Sequence, residues 1–275
     1  MSVKSEILGK QLKWAASAGL KPDRRGYLAN YESNLFQPLN QQSKEAFDQG
    51  SGSELRDRPT GAAKMRALHS SSALAVNFFD AWVDNDAGAL MKILGLKQES
   101  VNIRFEGQYP TGLPGNPPNL DVVFEFYSGL TVGIESKFTE WLTAKSQSKV
   151  PFKEKYFPSA GGVWERVGLP ATQSIAEEIQ SKSLIFRHLD APQLAKHALG
   201  LATHCGPNFR LFYIYFDGPG VEGNTHRQEI NVFSEQLKAE LGFKAFSYQE
   251  LIEKLEASSG VPKNYVEYLY ARYCQ

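Results

Sequence analysis

The sequence predicts an α/β fold in which a mixed central sheet is flanked by helices. A stripe of small apolar residues predicts a helix over 62–82. Three segments rich in β-forming residues follow with short connections, at 101–109, 119–127 and 130–138, and they predict an antiparallel meander. The run FRLFYIYFD at 209–217 is apolar and aromatic almost throughout. Such a run is typical of a central strand covered on both faces, which the chain would reach by a crossover.

The remaining elements follow from periodicity and from the residues that interrupt it. Helices are predicted where apolar residues recur at helical spacing, and glycine ends several of them. These helices span 3–18, 86–94, 171–187, 192–204 and 226–241, and a short strand at 243–247 precedes the C-terminal helices. The polar segment 21–61 contains three prolines and predicts loops and short helices. We therefore expect an N-terminal extension, 1–60, packed on a core domain with C-terminal helical additions, 61–275.

Composition narrows the functional classes. The chain has 275 residues, and its 30 basic and 30 acidic side chains give a net charge of +0. Nucleic-acid binding would therefore need a local basic surface, because the overall field gives no attraction. Cys205 and Cys274 are far apart and suit a reducing compartment better than a disulfide framework. The opening segment lacks the apolar core of a signal peptide and no run approaches a membrane span, so we expect a cytoplasmic protein without a membrane partner.

The turn between the second and third predicted strands fixes which side chains face each other. Gly129 suits the third position of a three-residue loop, where the backbone is left-handed. The register set by that loop pairs Asp121 with Glu135, with Cβ atoms roughly 5 Å apart. Lys137 would lie on the same face, diagonal to Asp121, whereas the opposite face of the hairpin is apolar.

Two adjacent carboxylates and an ammonium suggest a specific chemistry. The carboxylates repel each other unless a cation neutralises them, and a hard divalent ion such as Mg²⁺ or Mn²⁺ is suited to oxygen ligands. Lys137 beside that ion would orient or deprotonate water, or stabilise charge on a phosphorane. The alternative is a solvated strand face with cross-strand ion pairs. The strands are aromatic and rich in valine, which favours burial of the hairpin under helices. A charge buried there would be costly unless it is paired or binds a metal.

At these residues the sequence resembles a known family. Asp121, a thirteen-residue spacer and Glu135-Ser136-Lys137 are similar to the D-x(n)-(D/E)-x-K signature of PD-(D/E)XK nucleases, with PNLD at 118–121 in place of the PD dipeptide. The resemblance covers roughly 54–217 and implies a restriction-endonuclease-like αβββαβ core. The segments HSSSALAVNFF, PPNLD and ESKFTE also resemble a bacterial subgroup of restriction-endonuclease-like proteins.

The resemblance implies a Mg²⁺- or Mn²⁺-dependent DNA endonuclease of restriction, defence or repair type. Asp121, Glu135 and the backbone carbonyl of Ser136 would hold the metal, and Lys137 would serve the water or the transition state. DNA is the expected partner, with RNA left open, and homodimers are frequent in such folds. The second reading is a catalytically silent nuclease-fold module for DNA binding or assembly.

The family pattern points to further positions. An acidic residue on the first core helix often completes the metal site, and Glu54 is the nearest; it is otherwise a helix-entry glutamate. Gln193 and His197 replace the family's Q-x-x-x-Y and share one helix face, so Gln193 would orient the carboxylates or bind phosphate. His197, where tyrosine is expected, is either part of the site or structural. Glu106 and Glu125 are weaker acidic candidates.

A set of basic side chains is expected to contact the phosphate backbone. The alternative for such a run is a solvated loop. The predicted residues are Lys145, Lys149, Lys153 and Lys155 after the third strand, together with Arg66.

Overall fold

The computed structural model describes residues 2–50, 52–59, 61–146, 148 and 150–274. Its centre is a five-stranded mixed sheet with strand order β1-β2-β3-β4-β5. The strands are β1 (Val101–Gln108), β2 (Asn119–Phe126), β3 (Thr131–Lys137), β4 (Phe209–Tyr215) and β5 (Lys244–Ser247). The first three pair antiparallel, and β3, β4 and β5 pair parallel. The predicted α/β class, with a meander leading into a crossover, is confirmed.

Helices cover both faces of this sheet. Their bounds are α1 Val3–Ser17, α2 Gln41–Gln49, α3 Ser71–Phe79, α4 Gly88–Ile93, α5 Pro170–Ser181, α6 Ala191–Cys205, α7 Gly220–Leu241, α8 Tyr248–Glu256 and α9 Lys263–Tyr273. One apolar layer joins α3, α4, α8 and α9 to the sheet, and the other joins α5, α6 and α7. Along β4, Phe212 packs in the first layer and Leu211 in the second. The predicted double cover of this strand is therefore confirmed.

The hairpin of β2 and β3 has the register that the loop glycine predicted. Gly129 has φ 88, and Phe126 N–H donates to the Leu130 carbonyl over 2.9 Å. Val122 pairs with Ile134, and one step further along the same register Asp121 faces Glu135. The conformational freedom of one loop glycine thus decides which side chains meet at the other end of the hairpin.

The strand alternation changes at Asp121. Leu120 and Val123 pack in one layer and Val122 in the other, so the regular two-residue period is interrupted between them. On the neighbouring strand, the register places Glu106 opposite Asp121. Glu106 has φ 53, which is uncommon for a residue other than glycine. Local distortions of this kind redirect side chains at the edges of functional sites.

The predicted helix over 62–82 is wrong in its first half. Lys64–Arg66 forms a single 3₁₀ turn, after which the chain is extended, and Tyr27 forms a bridge with Ala67. The helix α3 begins only after Ser70, whose hydroxyl accepts from the Ala73 N–H. Backbone hydrogen bonds to the 26–28 segment and a serine cap override the helical spacing of the apolar residues.

Two further helix boundaries differ from the prediction. The helix expected over 171–187 ends at Ser181, because Lys182 adopts φ 64 and closes α5. The helix expected over 226–241 starts earlier, at Gly220. Within the described part of the chain, no helix combines the length and the apolar character that crossing a membrane requires.

The first helix is attached to the last. Arg272 of α9 is 2% exposed and donates to Gln11 of α1 and to both the carbonyl and the side chain of Asn34. The Trp14 ring lies 4.1 Å from the guanidinium. The N-terminal segment therefore packs on the core, although a boundary at residue 60 stays a prediction.

Candidate active site

The end of β3 holds a buried carboxylate with two partners. Glu135 is 1% exposed, and its Oε1 accepts a hydrogen bond from Lys137 Nζ. Its Oε2 accepts from Nε2 of His197, which lies 2.9 Å away on α6. The lysine side chain is 17% exposed, whereas the imidazole is 1% exposed. The Glu135 carboxylate is thus bound on one side by the partly exposed ammonium of Lys137 and on the other by the buried imidazole of His197 on α6.

Asp121 lies beside this pair. The backbone N–H of Ser136 donates to Asp121 Oδ2 over 2.7 Å. The paired residues of β2 and β3 reach only to Val122 and Ile134, so the carboxylate accepts a strand N–H at the point where the ladder ends. The structure therefore brings Asp121, Glu135 and Lys137 together at one end of the hairpin, as the register predicted.

The charges of the two carboxylates are strongly unequal. Burial raises the pKa of Asp121 well above its ordinary value, and the neighbouring Glu135 raises it further. Burial alone would also raise the pKa of Glu135, but Lys137 and His197 outweigh it and lower the value to about 2. Burial opposes the charge of Lys137, yet Glu135 and Asp121 hold its pKa above the usual range. Glu135 is thus compensated by two partners, whereas at Asp121 burial outweighs the partial compensation by Lys137.

Helix α6 delivers the third partner because it lies close on β3. A Cβ at Gly133 would come within 2.8 Å of the Leu120 side chain on β2 and 2.9 Å of the Leu201 side chain on α6, so glycine lets these two leucines lie close over the strand. Leu201 is near Gly133 and His197 is near Glu135. The helix therefore runs opposite to β3, and each turn advances about two strand residues.

Gln193 lies one turn before His197 and on the same face. By the direction of α6 it reaches the level of Lys137. The residue is half-buried, and its own N–H is capped by the Asp190 side chain over 3.2 Å. Among the residues that the structure describes, its side-chain amide makes no hydrogen bond, so it is available to a ligand at the end of β3.

Comparison of the sequence with models of protein families gives a match. The model of the REase-ARP family, described as Restriction Endonuclease associating with ARP, matches residues 9–274. The chain belongs to the REase-ARP family. The expected restriction-endonuclease-like relationship is confirmed at this level, and the PD-(D/E)XK assignment stays a prediction. Comparisons with curated proteins and with solved structures give no match.

Two further acids of this REase-ARP chain extend the carboxylate row across the sheet. Glu106 faces Asp121, accepts from Asn119 Nδ2 over 2.6 Å, and burial raises its pKa, with a smaller contribution from Glu54. Glu54 is 7% exposed and accepts from Lys64 over 3.0 Å and Ser72 over 2.7 Å. Its predicted place next to the first core helix is observed, since Ser72 lies on α3. Its part in a metal site stays a prediction.

The donor set fits a hard cation that takes few protein ligands. Over the described residues, no three histidine, cysteine, aspartate or glutamate side chains are grouped as a metal cage. Asp121 and Glu135 supply two carboxylates, and Ser136 adds a backbone carbonyl. Glu135 is bonded by Lys137 and His197, and Asp121 accepts from the Ser136 N–H. Mg²⁺ is commonly held by one or two carboxylates, with water and phosphate oxygens completing its shell.

The predicted phosphate-binding residues have different surroundings. Lys145 pairs with Asp190 over 2.6 Å, and Lys153 is exposed. Lys155 donates to the Pro114 carbonyl and lies 5.2 Å from the Tyr156 ring centroid. The guanidinium of Arg66 is bound by Asp57 and the Leu28 carbonyl, and Lys149 lies outside the described residues. A phosphate contact by Arg66 would have to compete with its carboxylate partner.

Sequence reasoning missed a polar chain beneath the site. In the parallel register Tyr213 of β4 is the partner of Glu135. Its hydroxyl lies 2.9 Å from Nε2 of His226, whose ring stacks on Trp141 at 4.4 Å. The aromatic run at 209–217 was interpreted as core, and Tyr213 is indeed 1% exposed. Only the order of strands β3 and β4 reveals that Tyr213 pairs with Glu135. Burial raises the pKa of Tyr213, and the charge of Glu135 raises it further.

Proposed function

We propose that this chain is a metal-dependent phosphodiester hydrolase that cuts DNA, with its reacting centre at Asp121, Glu135 and Lys137. The observation that carries the proposal is the meeting of two carboxylates and an ammonium at one end of the β2–β3 hairpin, in a chain of a restriction-endonuclease-like family. Two adjacent carboxylates raise each other's pKa, and a bound cation would allow both to be ionised. The proposed metal is Mg²⁺ or Mn²⁺.

The metal would be held by Asp121, Glu135 and the Ser136 carbonyl. When bound, it would lower the pKa of a coordinated water and neutralise charge on the phosphoryl oxygens. The protein's own residues then position the reactants. Lys137, the most accessible cationic group of the site, would donate to the attacking water or to a non-bridging phosphoryl oxygen. The Gln193 amide lies at the same level and would orient the phosphate.

The reaction is a displacement at phosphorus. An oxygen–phosphorus bond forms from water, and the bond from phosphorus to the 3′ oxygen breaks, leaving a 3′-hydroxyl and a 5′-phosphate. The water loses one proton and the 3′ oxygen gains one, so the overall change is hydrolysis. Throughout, His197 would keep Glu135 oriented by the hydrogen bond to its Oε2.

A second candidate is a nuclease-fold module that binds DNA or assembles with a partner and does not cut. The observation in its favour is that both oxygens of Glu135 are already bonded, one to Lys137 and one to His197. The family description also names an association with ARP. In this case Lys137 would act as a permanent counter-ion.

Cleavage assays separate the two candidates. Supercoiled plasmid, linear duplex, single-stranded DNA and RNA would be incubated with the protein in Mg²⁺, Mn²⁺ or EDTA, beside Lys137→Met purified in parallel. We expect cleavage with either metal, none with EDTA, and loss of at least about a hundredfold in rate for the variant. No cleavage of any substrate, or equal cleavage by the variant, would favour the silent module.

A further inference from the structure

A groove lies where β3 ends and α6 begins. It has a volume of about 620 Å³, and it is lined by Glu140 in the turn after β3 and by Asp190 just before α6. Glu140 follows Lys137 by three residues, and Asp190 caps the helix that carries Gln193. The groove thus opens beside the candidate active site. Its other lining includes Lys145, Val150, Lys182, Ile185, Pro192 and Lys196.

We propose that this groove binds an unpaired nucleic-acid strand next to the reacting centre. The proposal deepens the proposed function by naming a single strand, or an unpaired end of a duplex, as the substrate class. Its assignment to a substrate strand rests on the proposed hydrolase activity, whereas strand binding by the groove is measurable without any cleavage.

Several basic side chains line the groove. They are Lys145, Lys182 and Lys196, and the charge of Lys153 acts on Lys196. Burial lowers the pKa of Lys196, and the charges of Lys153 and Lys155 lower it further. Asp190 opposes this effect, and a phosphate beside Lys196 would relieve its repulsion by Lys153 and Lys155.

The acidic side chains of the groove are engaged within the protein. Asp190 accepts from Lys145 over 2.6 Å and also caps α6. Glu140 accepts from the Phe138 N–H over 2.9 Å. Three lysines thus line the groove against two carboxylates, and Lys145 is itself paired with Asp190. The groove therefore has a small local excess of positive charge, which a chain of +0 net charge needs for nucleic acid.

Exposed apolar side chains also line the groove. Val150 is 70% exposed and Ile185 46%, and both line the groove. Pro151 and Pro192 add flat, rigid faces. An unpaired strand exposes the faces of its bases, which would cover these apolar side chains from water. A duplex keeps those faces stacked inside and offers only phosphates and groove edges.

Variants of a lysine and of an isoleucine test the contributions of charge and of apolar surface separately. Lys182→Asn removes a charge at φ 64, a conformation that asparagine tolerates well, and Ile185→Ser removes an exposed apolar face. Lys97→Gln, an exposed lysine whose neighbour Leu96 packs in the opposite layer, is the control. Fluorescence anisotropy in EDTA measures binding of a labelled oligothymidylate of about twelve nucleotides and of a duplex of equal length. Hydrolysis of bis(p-nitrophenyl) phosphate with Mn²⁺ measures the reacting centre alone.

We expect the wild type to bind the single strand more tightly than the duplex. Each groove variant should weaken single-strand binding about three- to tenfold, and Lys182→Asn should reduce the salt slope by about 0.7. Lys97→Gln should bind normally, and all variants should hydrolyse the small diester at the wild-type rate. Duplex preference, no single-strand binding, or unchanged binding by both groove variants would overturn the proposal. Strand binding without diester hydrolysis would instead leave the groove standing and contradict the hydrolase.

Discussion

His197 Nε2 lies 2.9 Å from Glu135 Oε2, and both side chains are almost completely buried. The Q-x-x-x-Y pattern of PD-(D/E)XK nucleases predicts tyrosine at this position. The imidazole offers one donor to a carboxylate that already binds Lys137 through its other oxygen. Since both oxygens of the carboxylate are bonded, its orientation is set before any ligand binds.

This contact predicts an effect on metal binding as well as on turnover. His197→Phe keeps a ring but removes the donor, so Glu135 should lose its fixed orientation and the cleavage rate should fall about 10- to 100-fold. His197→Gln restores a donor and should recover part of the loss. Mn²⁺ affinity, measured by electron paramagnetic resonance, should fall and recover in the same order. Wild-type affinity and cleavage in His197→Phe would show that the histidine is only structural.

The close approach of α6 predicts a sensitive glycine. A Cβ at Gly200 would lie 2.3 Å from the Tyr109 carbonyl oxygen, so the helix must move to accept it. Gly200→Ala should lower the free energy of unfolding by about 1–3 kcal/mol. Gly9 on α1 has open space around it, and Gly9→Ala should instead raise stability by about 0.5–1 kcal/mol. Urea unfolding measures both, and a stable Gly200→Ala would contradict the packing described.

Arg272 predicts a large effect far from the site. Arg272→Met leaves the side chains of Gln11 and Asn34 buried without their partner, which should cost about 2–4 kcal/mol. Lys263→Met, on the same helix and 89% exposed, should change stability by under about 0.5 kcal/mol. Equal midpoints of urea unfolding for the two variants would show that the guanidinium does not join the chain ends.

His226 predicts a pH dependence of stability. Burial lowers its pKa to about 3, so the folded state keeps the ring neutral while the unfolded state takes up a proton near pH 6.5. The contribution is fully present above about pH 6.5 and is lost progressively as the pH falls toward 3. The free energy of unfolding should decrease by roughly 2–4 kcal/mol over this window, and His226→Gln should show a smaller decrease. Parallel curves for the two proteins would contradict the assignment.

Local features of the sequence were sufficient to predict which residues of the β2–β3 hairpin are paired. The loop glycine and the two-residue period of strands sufficed to pair Asp121 with Glu135. The first half of the 62–82 helix was predicted wrongly, because its backbone bonds to a segment some forty residues earlier. Helical spacing placed His197 on the face of Gln193, but its contact with Glu135 depends on how closely α6 approaches β3. Strand order, which joins Tyr213 to the site, has no local signal.

The central claim is that Asp121 takes part in metal-dependent cleavage. Asp121→Asn keeps an acceptor for the Ser136 N–H but removes the charge, whereas Glu125→Gln removes a carboxylate of the same strand that pairs with Arg104 over 2.7 Å. The most direct measurement is the single-turnover rate of plasmid cleavage in Mg²⁺ for these two variants and the wild type. We predict a loss of at least about a hundredfold for Asp121→Asn and a near-normal rate for Glu125→Gln. Cleavage by Asp121→Asn at the wild-type rate, or an equal loss in both variants, would contradict the claim.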